Sequence, residues 1–420
     1  MAHPNSPQVT SSPSCPVVHG APVGAPDSRV PLYAPEFASD PHRAYGEMRR
    51  RYGPLVPVDL APGVPATLVV EYRTAVRILN DPERFPADPR TWQENVPADC
   101  PVRPIMEWRP TASRNSGPDF LRYRQAITGS IGEVDSFALH AAVGEIAAPL
   151  IDSFCRAGTA DLIQQYAFPL AFGAVNALLG CPPEIGQRVA DGMAALVEGV
   201  DAENGNRMIS AAMLELVQLK RAESGSDLTS LLLRHPAGLD DEEMVHQVAG
   251  HYGAGIEFQQ NLIANTLLAI FTDDRFGGSV VGGSLSTRDA LDEVLFDDPP
   301  LANFLISYPR QPILLDNVWL AAHQPIVISM AACNNDPAIR AEDHTGNRSH
   351  LSWGIGSHAC PAQSLAYLIA QNAIDQLLDV LPDIRLAVPA DELAWRPGPF
   401  HRALAALPVT FPPASPLNPY

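Results

Sequence analysis

The stretch Leu351-Ser-Trp-Gly-Ile-Gly-Ser-His-Ala-Cys-Pro-Ala-Gln-Ser-Leu-Ala366 decides how this chain is read. It sets two glycines, a histidine and a cysteine in a loop ahead of an apolar-periodic run that predicts a long helix over 361–381. Gly354 and Gly356 allow a tight backbone turn. Cys360 then stands at the entrance of that helix, with Pro361 at a plausible first helical position. Amide donors and the helix dipole at that end favour a thiolate, which is a good soft ligand for iron. An arbitrary cysteine is most often a small buried residue, but the pattern around this one argues otherwise. Phosphate binding by Gly354-Ile-Gly356 is a poor alternative, because no Lys or Thr follows and the strand–loop–helix spacing is wrong.

Outward from that loop, helical patterning dominates. Residues 41–52 form a short amphipathic pattern opened by Asp40 as cap and Pro41 in the first turn. Two β-like runs, Val56–Leu60 and Ala66–Val70, precede a helical stretch at Tyr72–Leu79. Residues 86–118 are proline-rich and irregular, and helices are expected over 119–131, 136–157, 160–180 and 184–223. Leu239-Asp-Asp-Glu-Glu opens a helix of roughly thirty residues, longer than the globular average, with acids where the dipole favours them. Gly250, Gly253 and Gly255 crowd its middle, which suggests a kink or the close approach of something large. Beyond residue 300, β-like runs at Ile313–Leu315 and Pro325–Ser329 alternate with turns, and a loop covers 333–352. No internal repeat or separating linker is visible, so one large domain over 31–420 is expected, behind a poorly ordered Pro-rich tail over 1–30.

Composition narrows the function classes. With 46% hydrophobic and 18% charged residues among 420, the chain can bury a sizeable core. Its 28 basic against 47 acidic residues, a formal charge of −19, argue against a general nucleic-acid binder. Lys220 is the single lysine, a bias we read as that of a GC-rich bacterial genome. No 18-residue apolar stretch predicts a membrane span, and the first thirty residues lack the basic start and apolar run of an export signal. Six scattered cysteines without paired spacing then suggest a reducing cytoplasm.

The loop resembles that of the cytochrome P-450 haem-thiolate enzymes, which in outline reads Phe-x-x-Gly-x-x-x-Cys-x-Gly, often with His two residues before the Cys. Here Trp353, Gly356, His358 and Cys360 match, and Ala362 replaces the final glycine. Further landmarks follow in the family's order: Asp81-Pro-Glu-Arg-Phe85, Asp227-Leu-Thr-Ser-Leu231, Ala254-Gly-Ile-Glu257 with Asn261-Leu-Ile-Ala-Asn265, Asn335-Asp-Pro337 and Ala405-Ala-Leu-Pro-Val409. The resemblance covers nearly the whole chain after the tail and is closest to the bacterial, actinobacterial type. It implies a mainly α fold with small β-sheets in a single large domain. One haem b (iron protoporphyrin IX) would lie between the long central helix and the helix after Cys360. Thiolate ligation would push electron density onto iron and favour O–O cleavage. By family position, Arg124, Arg310 and His358 would meet the haem propionates. Gly354, Gly356 and Ala254 would line the cofactor. Phe120 stands where the family often has a propionate-binding histidine.

Two departures bear on mechanism. The central helix normally carries an acid followed by Thr, the hydroxyl of which helps to steer protons during oxygen activation. Here the pair is Glu257-Phe258, so proton delivery would fall to Glu257, water, the substrate or Gln259. The family's Glu-x-x-Arg pair, which braces the loop ahead of the cysteine, falls at Glu293-Val-Leu-Phe296, with the arginine gone. Glu293 should then find another donor, with Arg310, Arg340 and Arg348 as candidates, or face water.

The resemblance implies a monooxygenase acting on a small apolar molecule, with electrons from a ferredoxin and ferredoxin reductase. Arg103, Arg109, Arg114, Arg122 and Arg124 against Glu107 and Asp119 make a basic island that could steer an acidic partner. The departures also leave open a haem-containing sensor or signalling protein with weak turnover, and a peroxide-driven oxidase.

Overall fold

The computed structural model describes residues 17–19, 29–198, 202–277, 286–339 and 347–417. Most of the expected tail thus lies outside the described residues. Val17–His19, within it, forms a strand parallel to Val318–Leu320. Val318–Leu320 also pairs antiparallel with Ile313–Leu315 through a two-residue turn. In that turn Asp316 and Asn317 take φ of 47° and 63°, the geometry that suits short polar residues in a tight hairpin.

Local signals account for the first helix. Asp40 accepts the Arg43 N–H at 3.1 Å and Pro41 opens Pro41–Tyr52. The next two strands, Leu55–Asp59 and Pro65–Val69, start one residue earlier than the apolar runs suggest. They join a five-stranded sheet ordered Val30–Pro31, Leu55–Asp59, Pro65–Val69, Ile326–Ser329 and Asn303–Ser307. A third small sheet joins Arg385–Leu386, Pro408–Thr410 and Thr159–Asp161.

The rest is mainly helical. The expected helix over 184–223 is two helices, Pro183–Glu198 and Ala202–Ala222. They lie so close that a Cβ on Gly192 would come within 3.0 Å of the Gly205 carbonyl. The expected helix over 160–180 is a strand, a π-turn at Ile163–Ala167 and the helix Phe168–Leu179. Ser136–Phe154 is long and apolar enough to cross a membrane by length and composition. It nevertheless buries a stripe of Leu139, Val143, Ala147 and Ile151 against Phe168–Leu179 and Gln363–Val380.

The central helix, Asp241–Thr272, stays helical for all 32 residues. Asp240 and Glu243 form a reciprocal capping box at its start. Its second half packs Leu262, Ile263 and Leu267 into one core with Leu365, Ile369, Ala370 and Ala373 of Gln363–Val380. The chain is thus a mainly α, single large domain with small β-sheets.

Candidate haem site

Both loop glycines take positive φ, 67° at Gly354 and 70° at Gly356. A Cβ on Gly356 would lie 2.8 Å from the Leu79 carbonyl, so the turn rests against the end of Tyr72–Leu79. The Cys360 N–H donates to the Trp353 carbonyl at 2.7 Å and closes the loop. The following helix begins at Gln363, two residues later than the sequence suggests. Pro361 and Ala362 instead shape the turn that aims the Ala362 N–H at the Cys360 sulfur. Burial pushes this thiol up, while that N–H and the Arg124 guanidinium draw it back towards the thiolate. Cys360 is enclosed yet not fully covered.

On the central helix, Gly253 and Ala254 are exposed between buried Tyr252 and Ile256, and a Cβ on Gly253 would meet open space. Gly255 differs, because its Cβ would lie 2.7 Å from Val175. The glycine cluster therefore combines an open face with one tight helix contact and causes no break. Glu257 is half-buried and paired with Arg396, which arrives from the C-terminal loop. Asn261 also donates to Glu257 at 3.3 Å. Phe258 heads an aromatic row. Its ring centroid lies 6.0 Å from that of Phe304, which lies 5.7 Å from that of Phe400. Gln259 is buried and donates to the Ala366 carbonyl at 3.0 Å. It therefore ties the central helix to the helix after Cys360.

The expected propionate partners meet the structure unequally. Arg124 is half-buried, and burial, partly offset by the Cys360 sulfur, lowers its pKa. The His358 ring lies tilted against Phe120, with centroids 4.3 Å apart. Burial, then the Arg124 charge, push its pKa down to about 4. Arg310 is exposed and donates to the Ser116 hydroxyl at 3.0 Å. Arg114 was read only as part of the basic island. Its guanidinium lies 5.3 Å over Phe304 and bonds the Ile105 and Ser113 carbonyls, with no carboxylate partner among the described residues.

The island is not a free patch. Arg109 pairs with Glu107 at 3.1 Å, and Arg122 grips Glu243 with both arms of its guanidinium.

The loop brace is also rearranged. Glu293 pairs with Arg275 at 2.9 Å, and with neither Arg310 nor Arg348; Arg340 lies outside the described residues. One position earlier, Asp292 has a side chain only 4% exposed and faces the loop, where Arg348 donates to it at 2.9 Å. Phe296 packs edge-on against His350 at 5.1 Å. Asn334 is buried and donates to the Leu295 carbonyl at 2.9 Å, while its own carbonyl accepts the Leu351 N–H at 2.8 Å. Asp292, Asn334 and Arg396 escaped sequence reading, in which Arg114 is only a surface charge. Only Asp292 carried a signal, as the acid next to the one chosen.

A cysteine sulfur flanked by an N–H and a guanidinium, with an uncovered small-residue face on the central helix, fits a haem. No protein-family model matches the chain. The cytochrome P450 monooxygenase PikC of Streptomyces venezuelae is 28% identical over 394 residues, spanning 89% of this chain and 92% of that protein. Cytochrome P450 107B1 of Saccharopolyspora erythraea is 28% identical over 390 residues, 89% of this chain and 95% of its own. Among solved structures, CYP154A1 of Streptomyces coelicolor superposes with a TM-score of 0.78 at 26% identity, covering 89% of this chain and 98% of that one. Fold and site together define a haem-thiolate protein. The chain belongs to the cytochrome P-450 superfamily, of the bacterial type found in actinobacteria, and is an oxidoreductase of the monooxygenase class.

Proposed function

We propose that the domain over 31–420 binds haem b through Cys360 and hydroxylates a small apolar molecule, with electrons from a ferredoxin and its reductase in the cytoplasm. The observation that carries this reading is the Cys360 sulfur, served by the Ala362 N–H and Arg124. When bound, the haem supplies thiolate-ligated iron for the activation of dioxygen. Arg124, Arg310 and His358 meet its propionates, and Arg114 is a further cation in reach of that role. Gly354 and Gly356 hold the loop, and Ala254 with Gly253 gives the small-residue face. Phe258 and Phe304, with Phe304 backed by the buried Phe400, support an apolar substrate. Glu257 is the acid that remains to move a proton, and Arg396 holds it.

For the electron donor, support comes from a solvent-open groove of about 510 Å³ lined by Arg124, Gln125, Thr128, Gly129 and His235. Arg124 belongs to both this groove and the sulfur's surroundings.

The test is the carbon-monoxide difference spectrum of the reduced, reconstituted protein. A thiolate-type Soret band is expected, with its loss in Cys360→Ser. Colourless protein, or an unchanged band in that variant, overturns the reading. A sensor with weak turnover is a second reading, favoured by the missing hydroxyl at Phe258 and the captive Glu257. Product formed with ferredoxin and reductase excludes it. Product formed with peroxide alone points to the peroxide-driven oxidase.

A further inference from the structure

The Cys360 loop is braced in a way its sequence does not advertise. Asp292 lies on the helix Thr287–Asp297 and is almost fully covered. A carboxylate this deep is stable only when paired and hydrogen-bonded. Here it has three partners from three parts of the chain. Arg348, on the segment leading to the cysteine, donates at 2.9 Å. The hydroxyl of Tyr367, on the helix that follows the cysteine, donates to the other oxygen. Arg288, one turn earlier on its own helix, stands 3.6 Å away with its guanidinium carbon 3.4 Å over the Tyr367 ring. The Tyr367 ring in turn lies 5.5 Å from that of Trp353, the residue whose carbonyl takes the Cys360 N–H. An unbroken series of contacts therefore runs from Asp292 to the backbone of Cys360.

We infer that Asp292, with Arg348, Tyr367 and Arg288, is the unit that positions Cys360, and that Glu293 has no part in it. The inference rests on Cys360 being the iron ligand. Arg348 and Arg288 supply the positive charge that Phe296 cannot, and Tyr367 carries the constraint to both sides of the cysteine. These are positioning residues, since they act on the ligand through the loop.

The test compares Arg348→Gln, Asp292→Asn and Glu293→Gln holoproteins with the parent. It measures haem retention and the share of the reduced carbon-monoxide complex that keeps a thiolate-type band. Substitutions of residues that orient a metal ligand typically weaken metal binding by roughly 10- to 100-fold, and Asp292→Asn is expected in that range, with most of the thiolate band lost. Arg348→Gln should lose a clear part of the band, Arg348→Lys should recover some of it, and Glu293→Gln should match the parent. If Asp292→Asn does not fold, Arg348→Gln decides the matter, because its side chain is 55% exposed and no core depends on it. An unchanged band in Arg348→Gln, or equal losses in Glu293→Gln and Asp292→Asn, overturns the inference. A parent with no thiolate band overturns the proposed function and the inference together.

Discussion

The two faces of the candidate site differ in how they tolerate change. On the cysteine face, Asn334, Ser352, Arg348 and Tyr367 each bind the helix Thr287–Asp297, so the loop is held from several directions. A missing arginine at position 296 is covered there by neighbours with the same charge. On the central-helix face, Phe258 leaves no hydroxyl at its position, Gln259 is committed to Ala366, and Glu257 is committed to Arg396. Charge can be supplied from several directions, whereas a hydroxyl that handles a proton must sit at one place. One face therefore has cations near the position where Phe296 removed one, while the other face has no hydroxyl at the position Phe258 occupies.

The largest effect is expected where redundancy ends. Asn334 alone satisfies the N–H of Leu351, a residue with no exposed surface. Asn334→Ala strands that donor and removes one of the two hydrogen bonds to the Leu295 carbonyl, the other coming from Ser352. It should cost about 3 kcal/mol, from one unsatisfied buried group plus lost hydrogen bonds. Thermal unfolding of the holoprotein measures this. A loss no larger than that of an ordinary surface substitution breaks the contrast drawn between the faces.

A second expectation concerns the clamp that links the helix bearing Arg124 to the start of the central helix. Glu243 is held down to about 2 by hydrogen bonds from the Arg122 guanidinium, against a smaller opposing effect of burial. The Asp240 N–H and the Tyr123 hydroxyl add to that grip. Its folded-state pKa lies below that of the unfolded chain. The stabilisation is therefore fully present above about 4.5 and drains away as pH falls towards 2. Glu243→Gln should remove about 1–2 kcal/mol at neutral pH, because Arg122 is part-exposed and solvent screens the pair. It should also flatten the acid limb of the stability curve. An unchanged acid limb in that variant refutes the assignment. The iron spectrum should not move, which separates the clamp from the loop brace.

What the sequence made legible was local. Asp40 with Pro41, the acids opening the central helix and the Gly354–Cys360 turn all act within a few residues, so their chemistry is written in order. The rest needed packing. Asp292 and Glu293 are adjacent acids on one helix, about 100° apart around its axis. Only the neighbours, Arg348 on one side and Arg275 on the other, decide which of them braces the loop. The same holds for Gln259, whose direction is set by the helix that crosses it. Arg396 meets Glu257 across 139 residues of chain, beyond any periodic signal. The boundary between Glu198 and Ala202 was missed because no proline marks it, and both flanking patterns are helical.

The smallest effect tests the central-helix face itself. With Phe258 in place and Glu257 held by Arg396, reductant should be consumed well in excess of product. Phe258→Thr restores a hydroxyl, but in a helix that group readily bonds the carbonyl four residues back. Its natural partner, Glu257, stays bound to Arg396. We expect a gain in product per NADPH of only roughly threefold, far below the 10²–10⁴ that a well-placed proton donor can supply. Arg396→Leu should release Glu257, so the double variant should exceed the product of the two single gains. The measurement is product formed per NADPH oxidised with a surrogate ferredoxin and reductase. Tight coupling in the parent protein would sink this account, because it would mean that protons reach the site without the hydroxyl that Phe258 displaced.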